Sequence, residues 1–370
     1  MNIIYAKKFR IPDQSANIIQ GINMIAAFAK NGANIKSLFS FSNNILDRHS
    51  YLQQTYGVLK KSLGNPTFIS THARGFRYLF WLTQAMFTAH NNSTVYTREN
   101  TEFYNALWIR KITGNSIRIV HEVHKLIAPH SNKSVTNIPF FDKLSQADGI
   151  VFIDEALRDR VLSKLNLKAP TIVAPSGANI LSLSSTKSPT PTAKIVLGYF
   201  GKIVEDKGVF LLADSMRFLP ERYHLKCIGR IDPETQREML HRIGNDRRVV
   251  FTGHVNHSEL QKELSDVHIS IIPSISSDKY LSPLKLTESL ALGLPLVCTP
   301  VEHLKRLVKH EKNAIFAISF HPQDLANAIL KLGSDPNCMS AMSAENLEYA
   351  SQFSWDTRAR RILDFIKFIN

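Results

Sequence analysis

A lysine and a glutamate lie one helical turn apart in a segment that carries helix start and stop signals. In the segment from Ser282 to Pro295, a proline stands near the predicted start and a Gly-x-Pro stop follows. Lys285 adds a positive charge where unpaired amides and the helix dipole already favour anions. Glu288 lies one turn deeper, where it can accept hydrogen bonds from sugar hydroxyls. Phosphate and diol together describe a nucleotide, although a solvated Lys–Glu pair on an ordinary amphipathic helix explains this segment equally well.

A second segment favours the phosphate interpretation. Residues 194–200 form an apolar run of strand length, which a glycine-bearing connection with Lys202 and Lys207 joins to an apolar helical pattern. This order predicts the start of a βαβ unit. Ligands of open α/β sheets bind at the carboxyl ends of the strands, so both lysines are expected to face the same phosphates as Lys285. Either lysine alone is better explained as a solvated side chain.

These two segments resemble those of the retaining glycosyltransferases of family four, which have the GT-B fold. The family pattern Gly-Arg-x-x-x-x-Lys-Gly corresponds to residues 201–208, with Lys202 in place of arginine. Charge is kept there, but the bidentate geometry of arginine is lost. The family also has two glutamates eight positions apart. Glu288 matches the second, which implies that it binds the donor ribose, whereas the first falls on Tyr280. A family branch with Ser-Pro-Leu-Lys-Leu-x-Glu is more similar to this chain.

The resemblance extends over nearly the whole chain through segments that are individually weak but occur in the family's order. They are Ser15-Ala-Asn17, Val95-Tyr-Thr-Arg98, Val120-His-Glu-Val-His124, Val173-Ala-Pro-Ser-Gly-Ala-Asn179 and Phe353-Ser-Trp355. The resemblance implies that Ser15 and Asn17 contact the acceptor or a phosphate. It also implies that His124 contacts the transferred sugar, with His121 on the same predicted strand as the alternative. Glu122 is expected on the other face of that strand, away from catalysis.

The resemblance implies a donor site with cations around the diphosphate and mainly backbone contacts around the base. The residues assigned to catalysis are His124, Lys202, Lys207 and Glu288. The residues assigned to donor binding are Gly201, Gly229, Arg230, His254, Val255, Tyr280, Ser282, Pro283, Leu284 and Lys285. Ordinary turn residues are an equally good interpretation of Arg230 and His254. Because side chains meet the diphosphate charge and no Asp-x-Asp triplet occurs, we expect neither a metal ion nor a cofactor.

Composition predicts a protein of two ordinary domains without a membrane span. The chain has 370 residues, of which 44% are hydrophobic, and no apolar run approaches the length of a transmembrane helix. The amino terminus opens directly into a strand, so no signal peptide is predicted. The three cysteines, Cys227, Cys298 and Cys338, are widely spaced and resemble buried hydrophobes in a reducing compartment. We therefore expect a cytoplasmic protein.

The positive charge is concentrated in the first third of the chain. The formal net charge is +14, and residues 1–118 contain 14 Lys or Arg but only 4 Asp or Glu. Such a basic region favours an anionic partner, either a membrane surface or an acceptor on a lipid diphosphate. Basic and aromatic residues mix at helical length in residues 74–87, which could lie at a bilayer interface, although a buried helix is the favoured interpretation. No nucleic-acid-binding signature is present, so no nucleic-acid partner is expected.

Apolar strand-like runs alternate with amphipathic stretches in both halves of the chain, which predicts an α/β fold with parallel sheets. A helix behind a Ser15 cap follows the first strand. The predicted GT-B arrangement has two Rossmann-like domains whose sheets face a central cleft. Residues 1–180 form the acceptor-side domain, 181–193 a Ser/Thr/Pro-rich linker, 194–352 the nucleotide-sugar domain and 353–370 a helix that crosses back. The dinucleotide fingerprint Gly-x-Gly-x-x-Gly is absent, which argues against a dehydrogenase.

The leading hypothesis is a retaining hexosyltransferase that uses a nucleoside-diphosphate sugar. Its acceptor would be a glycan or a lipid-linked saccharide in bacterial cell-surface polysaccharide or lipopolysaccharide synthesis, at the inner face of the membrane. Two alternatives stay open at this point. One is a glycosyltransferase with a small soluble acceptor. The other, which the departures at Lys202 and Tyr280 keep open, is a catalytically decayed scaffold that binds anions or nucleic acid.

Overall fold

The computed structural model divides the chain into two compact units. The first consists of Met1–Gly177 together with Trp355–Asn370, and the second of Ala178–Ser354. The structure describes residues 1–370 except 14, 43, 59, 71–74, 90–92, 115–116, 125–142, 179–193, 245, 256–258, 276–283 and 370. The predicted linker and three predicted site residues, Tyr280, Ser282 and Pro283, therefore lie outside the described residues.

The first unit is built on a seven-stranded sheet. Its strands are β1 (Asn2–Ile11), β2 (Asn34–Phe41), β3 (Asn65–Ser70), β4 (Ser93–Thr97), β5 (Arg118–Val123), β6 (Gly149–Phe152) and β7 (Thr171–Val173). They lie in the order β3-β2-β1-β4-β5-β6-β7, and every neighbouring pair is parallel. The chain first adds strands on one side of β1 and then returns to add β4 on the other side.

Helices cover both faces of this sheet. They are α1 (Ala16–Lys30), α2 (Arg48–Tyr56), α3 (Gly75–Phe87), α4 (Asn100–Thr113), α5 (Glu155–Leu162) and, from the end of the chain, α13 (Trp355–Phe368). Parallel crossovers are right-handed, so the reversal of direction at β1 places α1 on one face and α4 on the other. Helix α3 contacts α4, whereas α13 contacts α1. The result is a three-layer α/β/α unit.

Aromatic side chains fill the first unit's core. Tyr5, Phe9, Phe28, Phe39 and Tyr96 are fully buried. Their rings lie within ordinary contact distances of one another, for example 4.6 Å between the stacked centroids of Phe9 and Phe39. Such rings contribute large buried apolar areas and fix the separation of the sheet from its helices.

The second unit has a six-stranded sheet of the same kind. Its strands are β8 (Ile195–Phe200), β9 (Tyr223–Ile228), β10 (Val249–Gly253), β11 (Ile269–Ile272), β12 (Leu296–Cys298) and β13 (Ile315–Phe316). Its helices are α6 (Val209–Ser215), α7 (Pro233–Ile243), α8 (Leu260–Glu263), α9 (Leu284–Ala291), α10 (Glu302–Leu307), α11 (Pro322–Gly333) and α12 (Pro336–Ala350). The strand order is β10-β9-β8-β11-β12-β13, and all pairs are parallel.

The two α/β units with parallel sheets confirm the predicted fold class, and α13 belongs to the first unit. Strand β3 was not predicted. Ser15 does occupy the N-cap position of α1, but the predicted side-chain cap is wrong, because its side chain makes no capping hydrogen bond. All three cysteines are free, and Cys227 and Cys298 are buried in β9 and β12 as expected.

None of the described helices combines the length and the apolar character that crossing a bilayer would require.

A buried ion pair joins α13 to the first sheet. Arg358 of α13 places Nη2 at 3.0 Å from Oε1 of Glu122 in β5, and both side chains are almost fully buried. Arg98 lies 3.9 Å from the same carboxylate, and Tyr96 donates a short hydrogen bond to it. Burial alone would raise the pKa of Glu122, but the two guanidinium groups lower it to about 2. Arg358 also donates from Nε to the carbonyl of Pro175 at 2.9 Å.

We expect Arg358→Met to lower the stability of the first unit by about 3–5 kcal/mol, because Glu122 would stay buried without its closest partner. The double variant with Glu122→Gln should recover part of this loss, because it removes the unpaired negative charge of the buried Glu122 carboxylate. All three tryptophans of the chain (Trp81, Trp108 and Trp355) belong to the first unit, so denaturant titration followed by tryptophan fluorescence reports its unfolding.

Arg360→Met, at an exposed position of the same helix, is the matched control and should change stability little. Equal losses for the Arg358 and Arg360 variants would show that the buried pair contributes nothing specific.

Candidate functional site

The second sheet changes direction between β8 and β11. The helices that follow these two neighbouring strands lie on opposite faces, which leaves a crevice at their carboxyl ends. Ligands of doubly wound α/β units bind at this kind of position. The residues at this edge come from the loops after β8, β9, β11 and β12.

The loops after β8 and β9 approach each other closely at two glycines. A Cβ on Gly229 would lie 2.0 Å from the carbonyl oxygen of Gly201, and Gly229 has a φ of 144°. Gly201 donates its amide hydrogen bond to the carbonyl of Ile228, and Gly229 donates to that of Gly253, both at 2.8 Å. Only glycine fits at position 229, which explains why the backbone, without a side chain, forms this part of the edge.

Gly208 places Lys207 beside the end of β11. A short 3-10 turn, Glu205–Lys207, precedes Gly208, which has a φ of 78° and begins α6. A Cβ at Gly208 would lie 1.6 Å from the carbonyl oxygen of Pro273, directly after β11. Through this contact, the loop after β8 crosses the position where the strand order changes direction and reaches the end of β11. Lys207 is partly buried there, with Nζ 4.0 Å from Asp206.

Helix α9 carries Lys285 and Glu288 to the same edge. Leu286 and Leu290 of α9 are buried in an apolar cluster, which fixes the rotation of the helix. The hydroxyl of Ser289 lies 2.8 Å from that of Ser270 in β11, and this buried hydrogen bond fixes its position along the strand.

The ammonium group of Lys285 lies over the ring of Tyr199, with Nζ 3.5 Å from the ring centroid. A Cβ on Gly201 would lie 2.8 Å from Cε of this lysine, so the glycine makes room for it. Burial lowers the pKa of Lys285 well below its ordinary value, and the nearby charge of Lys207 lowers it further. The aromatic face compensates part of that cost through a cation–π interaction.

Glu288 has the opposite shift. Burial raises its pKa from 4.5 to about 8, and the positive charge of Lys285 opposes this only in part. Lys207, Lys285 and Glu288 therefore form one electrostatic group, here called the donor-edge cluster, in which burial disfavours the charges of Lys285 and Glu288.

The remaining predicted donor residues lie around this cluster in different environments. Lys202 has an exposed side chain, and its carbonyl accepts a hydrogen bond from the Tyr199 hydroxyl at 2.8 Å. Arg230 and His254 are exposed, whereas Val255 packs against a small apolar cluster. The Leu284 carbonyl accepts from the Thr287 hydroxyl within α9. The structure thus brings Lys207 and Lys285 together but leaves the side chain of Lys202 in solvent.

The first sheet has its own switch point between β1 and β4, where a second polar group lies. Asn17, in the first turn of α1, donates a hydrogen bond to Glu99 at 2.6 Å, and Lys7 of β1 lies 2.5 Å from the same oxygen. Burial raises the pKa of Glu99, but Lys7 and Asn17 outweigh it and lower the pKa. Ser15 is exposed, and its amide donates to Asp13. Asn17 is therefore part of a fixed network, whereas the Ser15 side chain is in solvent.

The two histidines of β5 differ in burial. His121 is 1% exposed and packs against Phe103, with ring centroids 4.6 Å apart. Burial lowers its pKa to about 3, with a further contribution from His124, so His121 is neutral. His124 follows the last residue of β5 and is only partly buried. Of the two, His124 has the more accessible imidazole, and Glu122 between them belongs to the ion pair with Arg358.

Several residues at these edges were not predicted from the sequence. Tyr199 is one, because it lies in a run that only predicts a strand. Thr299 is another: its buried hydroxyl donates to the carbonyl of Ser274 at 2.5 Å and joins the ends of β12 and β11. Lys7 and Glu99 lie outside any motif. Over the described part of the chain, no three His, Cys, Asp or Glu side chains are grouped so that they could hold a metal ion.

The residues of the donor-edge cluster lie within the part of the chain that matches a known family. Residues 194–335 match the family model of glycosyl transferases group 1. An uncharacterized glycosyltransferase of Methanocaldococcus jannaschii is 27% identical over 178 residues, which are 47% of this chain and 45% of that protein. A D-inositol 3-phosphate glycosyltransferase of Corynebacterium urealyticum is 26% identical over 188 residues, 48% of this chain and 44% of that protein. The chain thus spans less than half the length of these two curated relatives.

The whole chain has a counterpart among solved structures. Anabaena HepE, crystallised in complex with UDP and glucose, superposes with a TM-score of 0.73 at 16% identity, over 99% of each chain. This likeness establishes the fold. The chain has the GT-B fold, and its residues 194–335 match the model of glycosyl transferases group 1.

The raised pKa of Glu288 predicts a pH-dependent effect of Glu288→Gln on stability. Between about pH 4.5 and 8 the folded chain keeps a proton that the unfolded chain loses, so ionisation of Glu288 lowers wild-type stability as the pH rises. Glutamine cannot ionise. The melting temperature of the variant relative to wild type should therefore increase from pH 5 to pH 8 and level off above. Glu234→Gln, at an exposed position of α7, should show no such trend, and a pH-independent difference for Glu288→Gln would contradict the shift.

Proposed function

We propose that this protein is a retaining glycosyltransferase that moves a hexose from a nucleoside-diphosphate sugar to a glycan or lipid-linked saccharide. The donor-edge cluster carries this proposal, because it places two lysines and one glutamate at the switch point of a group 1 domain. The names of the relatives support the reaction class, and the complex of HepE with UDP and glucose supports a sugar nucleotide as donor. The same proposal includes acceptors from cell-surface polysaccharide or lipopolysaccharide synthesis.

The cluster suits the stabilisation of a leaving diphosphate. When the bond between the hexose C1 and the phosphate oxygen breaks, the electron pair leaves with the diphosphate, and negative charge builds up there. Lys207 and Lys285 are already fixed at this edge, so little reorganisation is needed as that charge develops. We propose that these lysines act without a metal ion, so a chelator should leave turnover unchanged. The exposed Lys202 would reach the diphosphate only by moving its side chain toward it.

Glu288 is proposed to bind the ribose hydroxyls. Its pKa of about 8 leaves it largely protonated at neutral pH, so it can both donate and accept a hydrogen bond. A diol offers the same mixture of donors and acceptors. The base is proposed to contact the backbone at Gly229 and the residues that follow β10, where side chains such as Arg230 and His254 lie in solvent.

The first unit is proposed to bind the acceptor. Asn17 lies in the network at the β1–β4 switch point, and His124, with the more accessible imidazole of β5, is proposed to contact the transferred sugar. No carboxylate nucleophile is proposed, since Glu122 is occupied by Arg358 and Arg98. We place the reaction at the cytoplasmic face of a membrane, in keeping with three free thiols.

The donor assignment is tested first by a thermal-shift screen of UDP, GDP, ADP and their sugars, followed by transfer assays. We expect one nucleotide to raise the melting temperature and its sugar to be turned over. Lys207→Ala should then lower turnover about a hundredfold or more without unfolding the chain, since removal of one charge-stabilising donor costs about 2.7–4 kcal/mol of barrier. Lys262→Ala, at an exposed position of α8, should leave turnover unchanged. Turnover near the wild-type rate for Lys207→Ala would remove this lysine from the mechanism.

Helix α3 is proposed to bind an anionic membrane surface. It is buried on one face through Leu82 and Met86, yet Phe80 and Phe87 are 64% and 73% exposed on the other. Arg77 is exposed on that same helix, and residues 1–118 carry an excess of ten positive charges. Exposed aromatic rings beside basic side chains suit insertion at the level of lipid headgroups. The buried-helix interpretation thus describes only one face of α3.

Vesicle co-sedimentation tests this surface. Wild type should pellet with anionic phospholipid vesicles at low salt, and the double variant Phe80→Ser/Phe87→Ser should bind at least about tenfold more weakly, since each phenylalanine buried contributes about 1.5–3 kcal/mol. The matched control is Ile318→Ser/Phe320→Ser, which removes two exposed apolar side chains from the second unit. If wild type does not pellet with anionic vesicles at low salt, the proposed membrane binding is refuted.

A further inference from the structure

A buried histidine without a complete set of partners lies near the donor-edge cluster. His303 is the second residue of α10, in the connection that follows β12. Its exposed fraction is 6%, and its Nε2 atom has no hydrogen-bond partner within the described ranges of the chain. An unpaired buried polar atom destabilises the fold, so native structures keep few of them without a reason.

The loops after β8, β11 and β12 lie against one another shortly before His303 in the chain. Strand β11 separates β8 from β12 in the sheet. Gly208 lies against the carbonyl of Pro273, after β11, and Thr299, after β12, donates to the carbonyl of the next residue, Ser274. These contacts bring Gly208, next to Lys207, and Thr299, four residues before His303, to the end of β11. Lys207 is near enough for its charge to act on the imidazole.

The chemical state of His303 suits a neutral hydrogen-bond donor. Burial lowers its pKa to about 4, and the positive charge of Lys207 contributes in the same direction. The imidazole is therefore uncharged at neutral pH and carries one N–H. Beside an ammonium group, a second cation would be repelled, whereas a neutral N–H can bind the same anion in a fixed direction. An anion with several oxygens would satisfy both groups at once.

We propose that His303 is a further donor-site residue, which donates a hydrogen bond from Nε2 to a diphosphate oxygen of the sugar nucleotide beside Lys207. This inference rests on the function proposed above and deepens it, because it assigns a directional contact to a site otherwise made of lysine charges. His303 does not take part in bond breaking; it holds the diphosphate in one orientation.

Calorimetry with two probes tests this contact: the nucleoside diphosphate that wild type binds, and the corresponding nucleoside without phosphates. H303F keeps a ring of similar size but has no donor, and should weaken diphosphate affinity about 10- to 100-fold, as expected for a hydrogen bond to a charged group. Its nucleoside affinity should stay unchanged. H303Q retains an N–H donor and should recover part of the loss. H241F, at an exposed position of α7, is the control and should bind both probes like wild type.

The outcomes separate the contact from the function. If wild type binds a nucleoside diphosphate and H303F binds it equally well, the role of His303 is refuted and the proposed function stands. If H303F loses both probes alike, or H303Q recovers nothing, His303 is structural and the proposal also falls. If wild type binds no nucleoside diphosphate at all, the proposed function itself is refuted. If H303F does not melt cooperatively, the nucleoside-diphosphate affinity of H303A is measured in the same titration. An affinity of H303A equal to that of wild type would overturn the proposal.

Discussion

The ammonium group of Lys285 is held where its own charge is disfavoured, and the donor edge of the second unit depends on this constraint. The side chain fits because Gly201 has no Cβ, and it stays because the Tyr199 ring offers a polarisable face. Lys207 adds a second positive charge nearby, which lowers the pKa of Lys285 further. Glu288 does not neutralise the pair, since burial raises its own pKa to about 8. Asp206 lies 4.0 Å from Lys207, and under the proposed function a diphosphate adds further negative charge at this edge.

In the first unit, by contrast, the buried charge of Glu122 is stabilised by neighbouring side chains. Glu122 is as buried as any site residue, but Arg358, Arg98 and the Tyr96 hydroxyl surround it and lower its pKa to about 2. Because side chains of the same chain pair the Glu122 carboxylate, it requires no ligand. Its ion pair with Arg358 fixes α13 to the sheet. In the donor-edge cluster, by contrast, burial disfavours the charges of both Lys285 and Glu288.

Most of the fold was predictable because buried parallel strands appear in a sequence as short, nearly continuous apolar runs. Strand β3 escaped this rule for a physical reason. It is an edge strand that begins Asn65-Pro66 and includes Thr67 and Ser70, so neither its polarity nor its proline suggests a strand. The capping hydrogen bond predicted for the Ser15 side chain was wrong although the helix start was right, because that side chain is exposed and makes no capping hydrogen bond.

The candidate site was predictable only where its residues lie close together in the sequence. Lys285 and Glu288 are one turn apart on a single helix, and the spacing from Gly201 to Gly208 is a property of one loop. The neighbours that complete the edge depend on strand order, which apolar runs do not determine. His303 follows β12 and Lys207 follows β8, and the charge of Lys207 acts on His303 although β11 lies between those two strands. A sequence pattern therefore identifies which charged side chains are present, whereas the order of the sheet decides which of them lie near one another.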